Sequence, residues 1–135
     1  MLLNNRIISG EFKNIVIVTG AGISTNAGIP DYRSSSGIFS QLMKIFPQAT
    51  DPSNLFSREF VETYNIYDHS VYKENLKSIE KAEPTLSHYL CKYLYNKGWL
   101  KRIYTQNIDG LHQKAGLPDE FVVEYHGSLF LNNDP

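Results

Sequence analysis

His126, set between Tyr125 and Gly127, is the side chain of this sequence best suited to taking a proton from a hydroxyl. An imidazole titrates near neutral pH, and the glycine beside it leaves a ligand room to approach. Upstream, Gln106-Asn-Ile-Asp-Gly-Leu-His112 crowds the amides of Gln106 and Asn107 and the carboxylate of Asp109 into one segment. These groups can hold ribose hydroxyls and a carboxamide by complementary hydrogen bonds. The same residue types cap helices, and that reading stays open at this point. Nearer the N-terminus, Gly20-Ala-Gly22-Ile-Ser24 suits a phosphate, because missing side chains let the backbone approach closely and a following helix start would offer unpaired N–H donors. A plain turn between a strand and a helix would account for it equally well. The common dinucleotide fingerprint needs a glycine at position 25 and a carboxylate near position 40, where this chain has Thr25 and Ser40. A dehydrogenase of the common type is therefore disfavoured.

Other chemistries find less support. His69, His88 and His112 show no paired metal-ligand spacing and no H-E-x-x-H motif, so they are assigned no metal. Cys91 is the only cysteine, which excludes an internal disulfide and a cysteine-rich zinc site built by this chain alone. It reads as a structural, half-buried thiol. Ser24 lies in no G-x-S-x-G turn, which leaves a serine hydrolase without a motif. The 13 basic residues nearly balance the 14 acidic ones, so no long-range field draws the chain to nucleic acid or to an anionic membrane. No run approaches the roughly 18 apolar residues of a membrane span. Asn4, Asn5 and Arg6 interrupt the start of the chain where a signal peptide would be apolar. The expected setting is intracellular, nucleus or cytoplasm.

Strands and helices must hold these groups, and 135 residues are a one-domain length. Asn14-Ile-Val-Ile-Val-Thr19 is short, β-branched and nearly all apolar, as a strand buried on both faces of a parallel sheet should be. Small residues after it let the chain turn and start a helix over Thr25 to Gly28. Leu100-Lys-Arg-Ile-Tyr-Thr105 and Phe121-Val-Val-Glu-Tyr125 read as two further strands. The segment between, about 38–98, has helical periodicity and many tyrosines; Phe56, Phe60, Tyr64 and Tyr67 are expected in a core. Leu86, Leu90, Tyr93 and Leu94 should form one apolar face. Asp51-Pro52 and Glu83-Pro84 mark helix starts and Gly98 a helix end. Ser34-Ser-Ser-Gly37 reads as a flexible loop, and Leu131–Pro135 as a solvated tail. Strands separated by helices predict an α/β fold with a doubly wound parallel sheet, whose ligands bind beyond the carboxyl ends of the strands. All three polar motifs fall at such ends.

Taken in order, Gly20-Ala-Gly-Ile-Ser24, Gly28-Ile-Pro-Asp-Tyr-Arg33, Pro84-Thr-Leu-Ser-His88, Thr105-Gln-Asn-Ile-Asp-Gly-Leu-His112 and Glu124-Tyr-His-Gly127 resemble the sirtuin family. The resemblance runs from about Asn14 to Ser128. It implies a Rossmann-like NAD-binding fold and NAD-dependent removal of acetyl or acyl groups from protein lysine, yielding free lysine, nicotinamide and acylated ADP-ribose. Gly20, Ala21, Gly22 and Ser24 would belong to the loop that holds the NAD diphosphate. Arg33 would lie in the cofactor-binding loop, with Tyr32 where the family usually has phenylalanine. Ile29, Asp31, Asn107, Ile108 and Asp109 would shape the nicotinamide pocket, and Gln106 would reach the nicotinamide ribose. His126 corresponds to the family's general base, and Asn107 is counted with it as catalytic. The implied partner is an acylated-lysine protein or peptide, such as a histone.

Family members continue beyond the catalytic histidine into four zinc-binding cysteines, a second glycine and serine loop, and strands that complete the sheet around the adenosine half of NAD. None of these segments is in the sequence. The resemblance thus leads to an expected partial domain, an incomplete sheet with a helical insertion over about 38–98, lacking the cysteine ligands of the family's zinc. An exposed edge and apolar face should follow. Two other functions stay open: an inactive module that binds NAD, ADP-ribose or a protein partner, and ADP-ribosyl transfer with the same cofactor.

Overall fold

The β-branched run after Asn14 forms the first strand of a parallel sheet. In the computed structural model, which describes residues 3–129, the strands are β1 (Ile15–Thr19), β2 (Leu100–Thr105) and β3 (Val122–Glu124), in spatial order β1-β2-β3. The described helices are α1 (Leu3–Ile8), α2 (Ile38–Ile45), α3 (Arg58–Tyr64), α4 (Ser70–Lys81), α5 (Leu86–Asn96) and α6 (Leu111–Lys114), with short 3-10 turns between several of them. The α/β class and the parallel sheet agree with the sequence. The proposed tail lies outside the described residues.

By its contacts the chain divides into two compact units, Met1–Ile23 with Glu83–Pro135, and Ser24–Ala82. The sheet unit has its core between β2 and α5. Leu100 and Ile103 turn one face of β2 inward, where Cys91 and Leu94 of α5 meet them, and Leu117 closes the cluster. Helix α5 therefore groups with the sheet, although its periodicity alone places it in the helical insertion. Its start is set at Thr85, so Pro84 precedes the cap and does not occupy the first helical position. Gly98 ends it as expected: its φ of 68° is left-handed, and Gly98 N–H and Trp99 N–H donate back to the carbonyls of Tyr95 and Leu94 at 2.8 and 3.0 Å.

The apolar face expected on α5 splits in two. Leu94 is buried with Cys91 against the sheet, whereas Leu86 is 88% exposed and Tyr89, Leu90 and Tyr93 follow it on the open side. Apolar residues surround much of this helix, so their spacing did not distinguish the buried stripe from its opposite. β1 is also half-open, with Val16 and Val18 exposed while Ile15 and Ile17 pack on the core. The third strand is shorter than expected. Phe121 belongs to a 3-10 turn, Asp119–Phe121, that follows Pro118, and Tyr125 lies in the turn that begins after Glu124.

The second unit packs α2 and the turns Pro52–Phe56 and Ile66–Asp68 around Leu42, Leu55 and Ile66. Asp51-Pro52 starts a 3-10 turn, with the Asp51 carboxylate accepting from Ser53 N–H at 2.7 Å. Phe56 and Phe60 pack on this core. Tyr64 and Tyr67 are exposed, in contrast to the expected core role, although Tyr64 stacks on Phe60 at 4.4 Å between centroids. No α-helix forms over Thr25 to Gly28. That stretch is a single 3-10 turn, Thr25–Ala27, stopped by Gly28 at φ 85°, and Pro30 then bars continuation.

Candidate active site

The strand register explains why the polar motifs converge in the sheet unit. Thr19 pairs with Thr105, and Thr105 with Glu124, so the carboxyl ends of the three strands stand level. The ladder extends one residue further: Gln106 N–H donates to Thr19 O at 3.1 Å, and Tyr125 N–H to Thr105 O at 2.9 Å. Gly20, Gln106 and Tyr125 therefore stand level where the strands end, with His126 one residue beyond. Asn107, buried, donates from Nδ2 to Gly20 O at 3.1 Å, and its own N–H donates to Thr105 Oγ1 at 3.1 Å. His126 is exposed, and its Nδ1 lies 3.0 Å from Gln106 O. A carbonyl only accepts, so Nδ1 carries the proton and the neutral ring keeps its lone pair on Nε2.

Asp109 is buried, and its Oδ1 accepts from Leu111 N–H at 3.0 Å at the start of α6. The capping alternative holds for that oxygen. Ile108 is half-buried, its carbonyl accepting from Leu129 N–H at 3.1 Å. The backbone at the glycine loop is open: a Cβ added at Gly22 would meet no atom within 4 Å, and one at Gly20 only Gln106 Oε1 at 3.9 Å. The loop itself coils into a 3-10 turn, Ala21–Ile23, and a second, Thr25–Ala27, stands where a helix is expected, so any anion here would meet loop amides without a helix dipole behind them.

Four residues assigned no role by sequence reasoning sit directly beneath this loop cluster. Thr19 Oγ1 and His112 Nε2 are 3.0 Å apart, and the His112 ring meets His88 at 4.8 Å between centroids. Thr85 N–H donates to His88 Nδ1 at 3.1 Å. Both histidines are buried, and burial lowers both pKa values; His112 is taken to about 4, with His88 adding to the shift and Asp109 opposing it. The available signal was that both histidines lie in the first turn of a helix following a polar motif. Burial raises the Cys91 thiol to about 11, so it is a core residue more completely buried than expected. No cluster of metal-ligating side chains occurs among the described residues.

The Ser24–Ala82 unit carries the remaining expected residues. Ser24 and Ile29 are buried, Tyr32 and Arg33 exposed. Asp31 Oδ1 accepts from Ser34 N–H at 3.0 Å, and Ser34 holds the carboxylate pKa below its usual value. The Asp31 and Tyr32 carbonyls accept from Ile38 N–H and Phe39 N–H at 2.9 and 3.1 Å, so the serine-rich segment is a bonded loop on the start of α2. Arg33 borders a cleft of about 430 Å³ shared with Phe39, Met43 and Asp51.

Residues 20–133 match the sequence profile of the Sir2 family. The chain belongs to the Sir2 family. Among its Sir2 relatives, the NAD-dependent protein deacetylase sirtuin-2 of Danio rerio is 40% identical over 127 residues, covering 91% of this chain and 32% of that protein. A solved Sir2 homologue mutant in complex with ADP-ribose superposes with a TM-score of 0.75 at 27% identity, covering 96% of this chain and 48% of that one. A Sir2 mutant with a deacetylated p53 peptide and 3′-O-acetyl ADP-ribose gives a TM-score of 0.66 at 35% identity, covering 93% and 46%. This Sir2 chain thus spans about a third of the length of the first curated relatives it matches.

Proposed function

We propose that this Sir2 chain contributes the loop-bearing part of a site that uses NAD to remove acetyl or other acyl groups from protein lysine. The observation that carries the reading is the contact of His126 Nδ1 with Gln106 O, which leaves Nε2 as the proton acceptor beside the loops at the strand ends. NAD fits the residues present. The open backbone at Gly20 and Gly22 admits a diphosphate, and Asn107 and Asp109 supply amide and carboxylate groups for a carboxamide. Ser24, Ile29, Asp31, Tyr32 and Arg33 are the further candidates to bind it. When bound, NAD supplies the ribose carbon to which the acyl group is transferred and nicotinamide as the leaving group.

The chain's own contribution is orientation and a base. Asn107 ties the glycine loop to the segment after β2, so the two would meet a ligand as one surface. His126 Nε2 would take a proton from a ribose hydroxyl. The substrate would be an acylated-lysine peptide or protein, histones included, in an intracellular setting. The Sir2 relatives named deacetylase and the neighbour solved with a deacetylated peptide support this choice.

The test is calorimetric titration of the protein with NAD, with acetyl-lysine peptide turnover followed by mass spectrometry in the same preparation. Saturable binding with nicotinamide release and loss of the acetyl mass is expected. A folded protein that neither binds NAD nor turns over peptide would overturn the reading.

A further inference from the structure

The Gly20–Gly22 loop is pinned at both flanks by one chain of side chains, two half-buried threonines at its ends and two buried histidines between them. On its N-terminal side, Thr19 Oγ1 stands 3.0 Å from His112 Nε2. On its C-terminal side, Thr85 Oγ1 donates to Ile23 O at 3.0 Å. Between these ends the His112 and His88 rings pack edge to face at 4.8 Å, and His88 Nδ1 accepts from Thr85 N–H at 3.1 Å. His88 is fully buried and His112 is 2% exposed. The bracing groups come from β1, the start of α5 and α6, which are otherwise separate in the chain.

We propose that Thr19, His112, His88 and Thr85 are positioning residues, a brace that holds the glycine loop in the shape that receives the diphosphate of NAD. None of them is offered as a ligand contact. The inference rests on the proposed function. The loop itself carries no bulky side chain to fix its conformation, and Gly20 and Gly22 leave it with the widest backbone freedom. Beyond the bond from Asn107 to Gly20 O, its two flanks are where side chains hold it. A threonine hydroxyl at one end and a carbonyl-directed hydroxyl at the other do so without entering the open face.

The experiment compares the parent protein with Thr19→Val and Thr85→Val, which keep β-branched shape and delete the hydroxyls, and with Thr19→Ser, which restores one. Each is read by ADP-ribose titration, by thermal melting, and by amide hydrogen exchange of residues 20–23 without ligand. The brace predicts about tenfold weaker ADP-ribose binding in each valine variant, equivalent to roughly 1.4 kcal/mol. It also predicts faster exchange confined to residues 20–23 and recovery in Thr19→Ser. Unchanged affinity and exchange in folded valine variants would overturn it, as would loss of protection spread evenly over the sheet unit. A parent that binds no ADP-ribose refutes the proposed site and the brace together; a parent that binds, with valine variants that bind equally, refutes the brace alone.

Discussion

His126 Nδ1 and the backbone oxygen of Gln106 stand 3.0 Å apart, and this contact leaves Nε2 as the ring nitrogen that can accept a proton. The partner is main chain, so the side chain at position 106 can change without releasing the ring. Replacing His126 by alanine should lower deacylation by about 10² to 10⁴ while NAD affinity is kept. Gln106→Ala should instead weaken NAD binding and leave the pH profile of turnover in place. Steady-state rates across pH, paired with calorimetry, check both expectations.

Asn107→Asp puts a carboxylate oxygen where Nδ2 now donates to Gly20 O. Two acceptors would face each other at a buried site, a cost of about 1–3 kcal/mol. A fall in melting temperature of several degrees, together with loss of NAD binding, is expected. Scanning calorimetry of the variant against the parent measures the first part.

Glycines 37 and 22 should respond oppositely to alanine. At Gly37 the φ of −71° suits any residue, but a Cβ would lie 2.7 Å from both Asp31 O and Asp31 Oδ1. Gly37→Ala must therefore move the Asp31 loop and should cost on the order of 1–3 kcal/mol in urea unfolding. Gly22→Ala meets nothing in the protein and should leave stability near the parent value, yet weaken NAD binding if a diphosphate occupies the open side.

Acid should destabilise the fold through the buried histidines. Burial first, then His88, lowers the folded pKa of His112 to about 4, whereas an unfolded imidazole titrates near about 6.5. Between those values the unfolded chain takes up a proton that the folded chain refuses. Stability present above about pH 6.5 is thus lost as pH falls, at up to roughly 1.4 kcal/mol per pH unit, and this group adds no further loss below about 4. His88 is shifted the same way. Glu124 works in the opposite sense, since burial raises its pKa and the stability it adds at acid pH fades as the carboxyl ionises. Melting temperatures over this range should show a shallower slope in His112→Gln than in the parent.

What could be read from the sequence was what depends on local pattern. β2 was placed residue for residue because turn-forming residues bound it, and Gly98 ended its helix because a left-handed residue there favours glycine. The polar motifs were recognised because their residue types differ from a core. Contacts across the chain were not legible in the same way. Nothing local links Thr19 to His112, or Thr85 to Ile23, and a buried histidine looks like an exposed one until its neighbours are known. The open side of α5 is hidden from the sequence for a related reason, since periodicity gives a stripe but not what covers it.

That open side alters how the protein should be handled. Dyes of the anilinonaphthalene sulfonate type brighten on apolar surface, and their signal is usually taken as a mark of a loosened, molten state. Leu86, Tyr89, Leu90 and Tyr93 offer such surface while α5 is fully formed. Fluorescence in the presence of dye should therefore be high before any heating, and a thermal scan that relies on it would report a poor baseline for a folded sample. Circular dichroism gives the melting curve free of that background.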